Sequence, residues 1–151
     1  MKEKVEQADF ESLTKWCSLQ ERCTQEVRER LRKRGCTGRK ADQLVERLMD
    51  LDFLNELRFA ESYARSRAIH KGWASLKIAA GLRSKGIASS LVDAALAELP
   101  AETFSSNLHR LVERRKEELP EGRERLIRWL LARGFRLDEI ILEVDAAGRA
   151  S

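Results

Sequence analysis

Proline, cysteine, aromatic side chains and long apolar runs are all scarce in this 151-residue chain, and each scarcity excludes something. Two prolines, Pro100 and Pro120, and one tyrosine, Tyr63, stand in a sequence dominated by Leu, Ala, Glu and Arg, which disfavours an all-β fold and suits helices. Three cysteines, Cys17, Cys23 and Cys36, cannot make a fully paired disulfide framework, and none lies in a CxxC, so reduced thiols in a cytoplasmic protein are expected. No apolar run approaches the roughly 18 residues of a membrane span. The start, Met1-Lys2-Glu3-Lys4, leads into a charged stretch instead of a signal-peptide core.

Recognisable chemistry is missing as well. The chain has no GxSxG, no GxxxxGKS/T and no GxGxxG. A zinc site takes about four ligands, whereas the two histidines, His70 and His109, lie far apart in basic helical segments, so no metal or other cofactor is expected. Glu117, Glu118, Glu121 and Glu124 alternate with Arg and Lys at helical spacing and read as salt-bridged faces, not as an acid/base pair. The expectation is a protein that is not an enzyme.

What the chain does contain is a repeat. A Lys/Arg-Gly step recurs at Arg34-Gly35, Lys85-Gly86 and Arg133-Gly134. Four residues before each glycine stands a leucine (Leu31, Leu82, Leu130), and eight before it an aliphatic (Val27, Ile78, Leu126), the one-face pattern of a helix. Each glycine reads as the left-handed residue that stops that helix. A second apolar pattern follows: Leu44, Val45 and Leu48; Leu91, Val92, Ala95 and Leu96; Ile140, Ile141 and Val144. Longer helices lead into the hairpins. One is capped by Asn55, runs to Lys71 and carries Phe59, Ala60, Tyr63, Ala64 and Ala68; another runs from about Glu102 to Glu118, bracketed by the prolines. An opening helix bears Phe10, Leu13, Trp16 and Cys17, with Thr24 as the candidate cap of the next. The aromatics Phe59, Tyr63, Trp73 and Trp129 read as packing residues.

The fold class expected is all-α: tandem three-helix repeats, about three units, elongated and curved, the last unit truncated by the chain end. The divisions are 1–50, an N-terminal helix plus the first hairpin; 51–100, the central repeat; and 101–151, the C-terminal repeat, with a frayed tail from Asp145.

A net charge of +4 conceals an uneven distribution. Residues 28–40 carry seven cations against Glu29 alone, and residues 57–92 seven against Glu61 alone, +6 in each segment, while residues 101–151 balance ten against ten. The candidate partner- or DNA-binding residues are therefore Arg28, Arg32, Lys33, Arg34, Arg39, Lys40, Arg58, Arg65, Arg67, Lys71, Lys77, Arg83 and Lys85. Arg58 and Arg65, seven apart, share a helix face where an acidic partner or phosphates would meet them.

The ordered set Phe53-Leu54-Asn55-Glu56-Leu57-Arg58-Phe59-Ala60, then Tyr63, Arg65, Arg67, Gly72-Trp73, Lys77-Ile78, Leu82-Arg83 and Lys85-Gly86-Ile87, resembles the central signature of the RecX family of recombination regulators. Cys17-Ser18, Glu21-Arg22-Cys23, Glu26-Val27 and the late Arg133-Gly134-Phe135 with Ile140 resemble one branch of it, so the likeness runs from about Phe10 to Val144. Leu57 departs from a usually polar position, and three extra residues follow Gly35 relative to the turn after Gly86. The resemblance implies a tandem array without catalytic residues that binds the RecA recombinase, particularly its filament on single-stranded DNA, and restrains its activity; the expected form is a monomer whose basic faces meet acidic filament surface or DNA phosphate. The alternative is a helical DNA-binding protein acting without RecA.

Overall fold

The computed structural model describes residues 2–150, with side chains described over 7–149. Among these residues every regular element is helical: α1 Lys2–Leu19, α2 Thr24–Lys33, α3 Gly38–Asp50, α4 Glu56–His70, α5 Ser75–Ser84, α6 Ser89–Ala97, α7 Thr103–Arg115, α8 Arg123–Ala132 and α9 Leu137–Ala150. They group in threes, each triplet around its own apolar cluster. Leu13, Val27, Leu31 and Leu48 centre the first, Ile78, Leu82 and Val92 the second, and Leu126, Leu130 and Ile140 the third.

The Lys/Arg-Gly steps do what their chemistry dictates. Gly35, Gly86 and Gly134 adopt φ of +77°, +78° and +95°, a region open to residues without a Cβ. The leucine four before each glycine supplies the helix-closing carbonyl: Cys36 N–H donates to Leu31 O (2.9 Å), Ile87 N–H to Leu82 O (3.1 Å) and Phe135 N–H to Leu130 O (3.4 Å). That is a Schellman closure, and its apolar partner residues pack across the same turn. All three turns span four residues between helices, so the insertion expected after Gly35 is absent. Counting from each glycine gives one register. Six residues on stand Ala41, Val92 and Ile140, all buried; the methyl of Ala41 fills the first core position that Leu44 had been expected to open.

Three other expectations are corrected. The break before α2 is real, but the cap is Cys23, not Thr24: Glu26 Oε1 accepts from Cys23 N–H at 3.0 Å, filling the N3 role of a capping box. The last unit, expected to be truncated, contains three helices like the others, α9 running to Ala150. The stretch from Asp145 is ordered helix, not a frayed end: Ala147 is buried and Asp145 pairs with Arg123 at 3.1 Å, whereas Ser151 lies outside the described residues. Asn55 caps α4 as expected, accepting from Arg58 N–H at 2.9 Å. The helix expected to reach Glu118 ends at Arg115 and finishes in a 3-10 turn, Lys116–Glu118.

The units are joined by a plug that the repeat reuses. Cys23 and Ala74 each stand four residues before the first buried aliphatic of their hairpin, and each is buried in the cluster of the following unit. A small side chain at this helix entry lets two cores meet.

Candidate interaction surface

The thirteen cations singled out from sequence fall into three groups once placed. The first is spent on acids within the chain. Arg28 pairs with Asp42 at 2.5 Å, Arg34 with Asp9 at 3.2 Å, and Arg32 with Glu29. Arg58 reaches Glu21 (2.7 Å), Asp52 Oδ2 (3.2 Å) and the Asp52 carbonyl (2.9 Å); the Glu21 bond holds its guanidinium above the ordinary pKa against partial desolvation. Lys85 meets Glu26 at 3.4 Å. Arg28, Arg32 and Lys85 line one open concavity between α2 and the end of α5, together with Gln25, Glu29 and Glu56. There the sequence-local excess of cations is cancelled by carboxylates from elsewhere.

The second group surrounds Trp73 where the central unit meets the third. The Arg67 guanidinium lies 4.3 Å from the Tyr63 ring and 5.7 Å from that of Trp73; the ammonium groups of Lys77 and Lys71 lie 4.4 and 5.9 Å from Trp73. Lys77 Nζ also donates to the Ala132 carbonyl at 2.8 Å. The other tryptophans repeat the arrangement: Trp16 between Arg22 and Arg30, Trp129 between Arg115 and Arg133. All three rings also pack on their unit's apolar cluster, so the packing role expected of Trp73 and Trp129 holds, with cation–π attraction added.

The third group is Lys33, Arg39, Arg65 and Arg83, exposed and without ion pair or hydrogen bond among the described residues. Lys40 is exposed beside Arg39. Arg65 does share the α4 face with Arg58, but Arg58 is already engaged. Sequence reading missed most of the acids opposite these cations because Asp42, Asp9, Glu21 and Glu26 lie 14 to 59 positions from their partners. It also missed Asn107, the one buried polar side chain in the described core, whose Nδ2 donates to the Ala68 carbonyl in the last turn of α4 (2.9 Å). No periodicity marks such a residue.

Burial pushes the Cys17 thiol up and takes Cys23 up to about 11, which leaves both poor nucleophiles at neutral pH. No group of three or more His, Cys, Asp or Glu able to hold a metal ion occurs among the described residues, and no helix there is long and apolar enough to cross a membrane.

The second three-helix domain of RecX, as a family model, matches residues 55–96, the span of α4 to α6. The regulatory protein RecX of Mycolicibacterium vanbaalenii is 31% identical over 121 residues, covering 73% of this chain and 66% of that protein. The chain belongs to the RecX family. RecX of Mycobacterium leprae is 33% identical over 68% of this chain and 61% of that protein, and RecX of Streptomyces coelicolor 30% identical over 62% and 50%. The matched part thus spans about half to two thirds of the length of these RecX relatives. The crystal structure of RecX from Lactobacillus salivarius superposes with a TM-score of 0.78 over 93% of this chain and 97% of that one; at 23% identity the likeness shows the RecX fold of tandem helical repeats.

Proposed function

We propose that this protein is a non-enzymatic regulator that binds the RecA recombinase and its filament on single-stranded DNA and restrains its recombinase, ATPase and coprotease activities, so affecting recombinational repair and the SOS response. Membership of the RecX family supports the reading, together with one observation: the unspent cations are spread along the array, Lys33 on α2, Arg39 on α3, Arg65 on α4 and Arg83 on α5. Arg39 is the most telling of them. It stands in the first turn of α3, which contains no acid, where a cation opposes the helix dipole and so brings the fold nothing.

A row of separate cations suits an extended, repeating anionic lattice better than a compact ligand. Several weak contacts made by units of one array combine through effective concentration. Lying along successive RecA protomers, such an array would hold them against growth and conformational cycling and exclude a second strand from the groove. The units 1–50, 51–100 and 101–151 are the modules of that contact, and the protein acts as a monomer in the cytoplasm.

The test is RecA-driven ATP hydrolysis and strand exchange with substoichiometric protein, beside an Arg65→Glu/Arg83→Glu variant. Each exposed ionic contact is worth up to about 1 kcal/mol, so the double variant should weaken filament binding on the order of tenfold or more while leaving the fold intact. No inhibition at saturating binding overturns the proposal. Binding to naked DNA with a steep salt slope and no effect of added RecA favours the alternative, a RecA-independent DNA-binding protein.

A further inference from the structure

The two junctions between units use the same plug but are fastened differently. Between the second and third units every fastening hydrogen bond ends on a backbone carbonyl. Ala74 N–H donates to the Arg133 carbonyl (2.8 Å), Lys77 Nζ to the Ala132 carbonyl (2.8 Å) and Asn107 to the Ala68 carbonyl (2.9 Å). Leu111 closes over Gly72, and Gly134 lies so near the Lys77 backbone that a Cβ there would stand 2.8 Å from Lys77 N. Relative motion here would break several buried contacts at once.

Between the first and second units, ion pairs between side chains join the hydrogen bonds. Glu21 holds Arg58, and Glu26, three residues after the plug as Lys77 is after Ala74, holds Lys85. Glu56 Oε1 accepts from Thr24 N–H at 3.3 Å, and its other oxygen is buried with no partner. Gln25, with its amide nitrogen turned toward them, donates to the Ser84 and Lys85 carbonyls. The paired side chains are 24% to 38% exposed, open to screening by salt. Cys23 is the one apolar residue of the first unit inside the second core. The chain crosses between the units at Asn55, since Leu54 belongs to the first cluster and α4 to the second.

We propose that the first unit is an arm, latched by the Glu21–Arg58 and Glu26–Lys85 ion pairs and turning about Asn55, which swings away from a rigid body formed by the second and third units when anions compete for the latch. Opening draws Cys23 out of the second core and releases Lys85 from Glu26 and Arg58 from Glu21 and from Asp52, which lies on the arm's side of Asn55. An anionic partner thereby gains two cations that the closed form conceals, and the device operates whatever that partner is.

The latch can be read with the native thiols. Cys23 is fully buried at the junction, Cys17 is buried within the first unit's own core, and Cys36 is half-exposed. The full chain is alkylated with iodoacetamide, an uncharged reagent, at pH 8, and each cysteine is followed by peptide mass spectrometry with Cys36 as the solvent reference. Each exposed ion pair is worth up to about fivefold in an equilibrium constant. Raising NaCl from 0.05 to 0.5 M should therefore accelerate Cys23 about tenfold and leave Cys17 unchanged. Lys85→Glu and Arg58→Glu should each accelerate Cys23 at low salt, whereas Lys85→Arg, which keeps the ion pair to Glu26 and leaves the Glu26 cap on Cys23 N–H intact, should keep labelling slow. A Cys23 rate indifferent to salt and to both charge reversals, or one that rises in step with Cys17, overturns the latch.

Discussion

Replacing the three helix-stopping glycines by alanine, one at a time, separates the cost of a left-handed backbone from the cost of disturbing a junction. At Gly35 and Gly86 the added methyl meets nothing within 4 Å, so the penalty is conformational. Left-handed backbone costs an L-residue about 1–2 kcal/mol, and the reduced freedom of the unfolded chain returns about 0.4–1 kcal/mol. A net loss near 1 kcal/mol should result at each. Gly134 has a larger φ, +95°, and its Cβ would stand 2.5 Å from Lys77 Cβ and 2.8 Å from Lys77 N. Lys77 is in the first turn of α5, so the clash is relieved by backing that helix away from the turn after α8. Doing so sacrifices the Ala74–Arg133 and Lys77–Ala132 hydrogen bonds, each worth about 0.5–1.5 kcal/mol net. Gly134→Ala should therefore lose about 3–4 kcal/mol. In urea unfolding followed by far-ultraviolet circular dichroism, the midpoint should fall modestly and equally for Gly35→Ala and Gly86→Ala and several times further for Gly134→Ala. By heat, at about 2–4 °C per kcal/mol for a chain of this size, the expected drops are about 3 °C and about 10 °C. Three equal losses would refute the claim that the third glycine is pinched between units.

Two further outcomes follow from single side chains. Asn107→Ala should cost about 1–3 kcal/mol by leaving the Ala68 carbonyl without its donor. Asn107→Asp should cost more, since a carboxylate then faces that carbonyl; chemical denaturation with the two variants ranked the other way would contradict this. Glu118 is held below its ordinary value of 4.5, chiefly by its hydrogen bonds to Arg115, the residue that stacks on Trp129. Because the folded-state value is the lower one, the contribution is complete above 4.5 and is lost as pH falls through the depressed value. In a Trp16→Phe/Trp73→Phe background the Trp129 emission should shift only below that range, and Glu118→Gln should abolish the step; an unchanged titration in the Gln variant would dismiss the pairing.

Local chemistry was legible in the sequence and long-range chemistry was not. Leu31, Leu82 and Leu130 announced both the buried helix face and the carbonyls that close the three turns, because side-chain period and backbone closure are set within a few residues. Asn55 was legible as a cap for the same reason. Ala41 escaped notice because a methyl at a core position resembles a methyl on a surface, and only the common register from the glycine distinguishes them. Cys23 hid its role because the core it fills belongs to the next unit. The candidate surface was the least legible part, since charge along the chain is a one-dimensional count and charge on the surface is not.

That difference decides which cations are available to a partner. Residues 28–40 and 57–92 each count +6 in sequence, yet Asp9, Glu21, Glu26, Asp42 and Asp52 all lie outside both segments, Glu29 lies inside one, and together they occupy Arg34, Arg58, Lys85, Arg28 and Arg32. All six acids precede the crossing at Asn55, and three of them, Glu21, Glu26 and Asp52, reach cations beyond it. Some of the carboxylates that cancel the basic surface are thus the same groups that fasten the first unit to the second. Stability of the closed arrangement and affinity for an anion then draw on the same ion pairs, so strengthening one weakens the other. Under the proposed latch an anionic partner would first meet Lys33, Arg39, Arg65 and Arg83, and would reach Arg58 and Lys85 only once the Glu21 and Glu26 pairs give way.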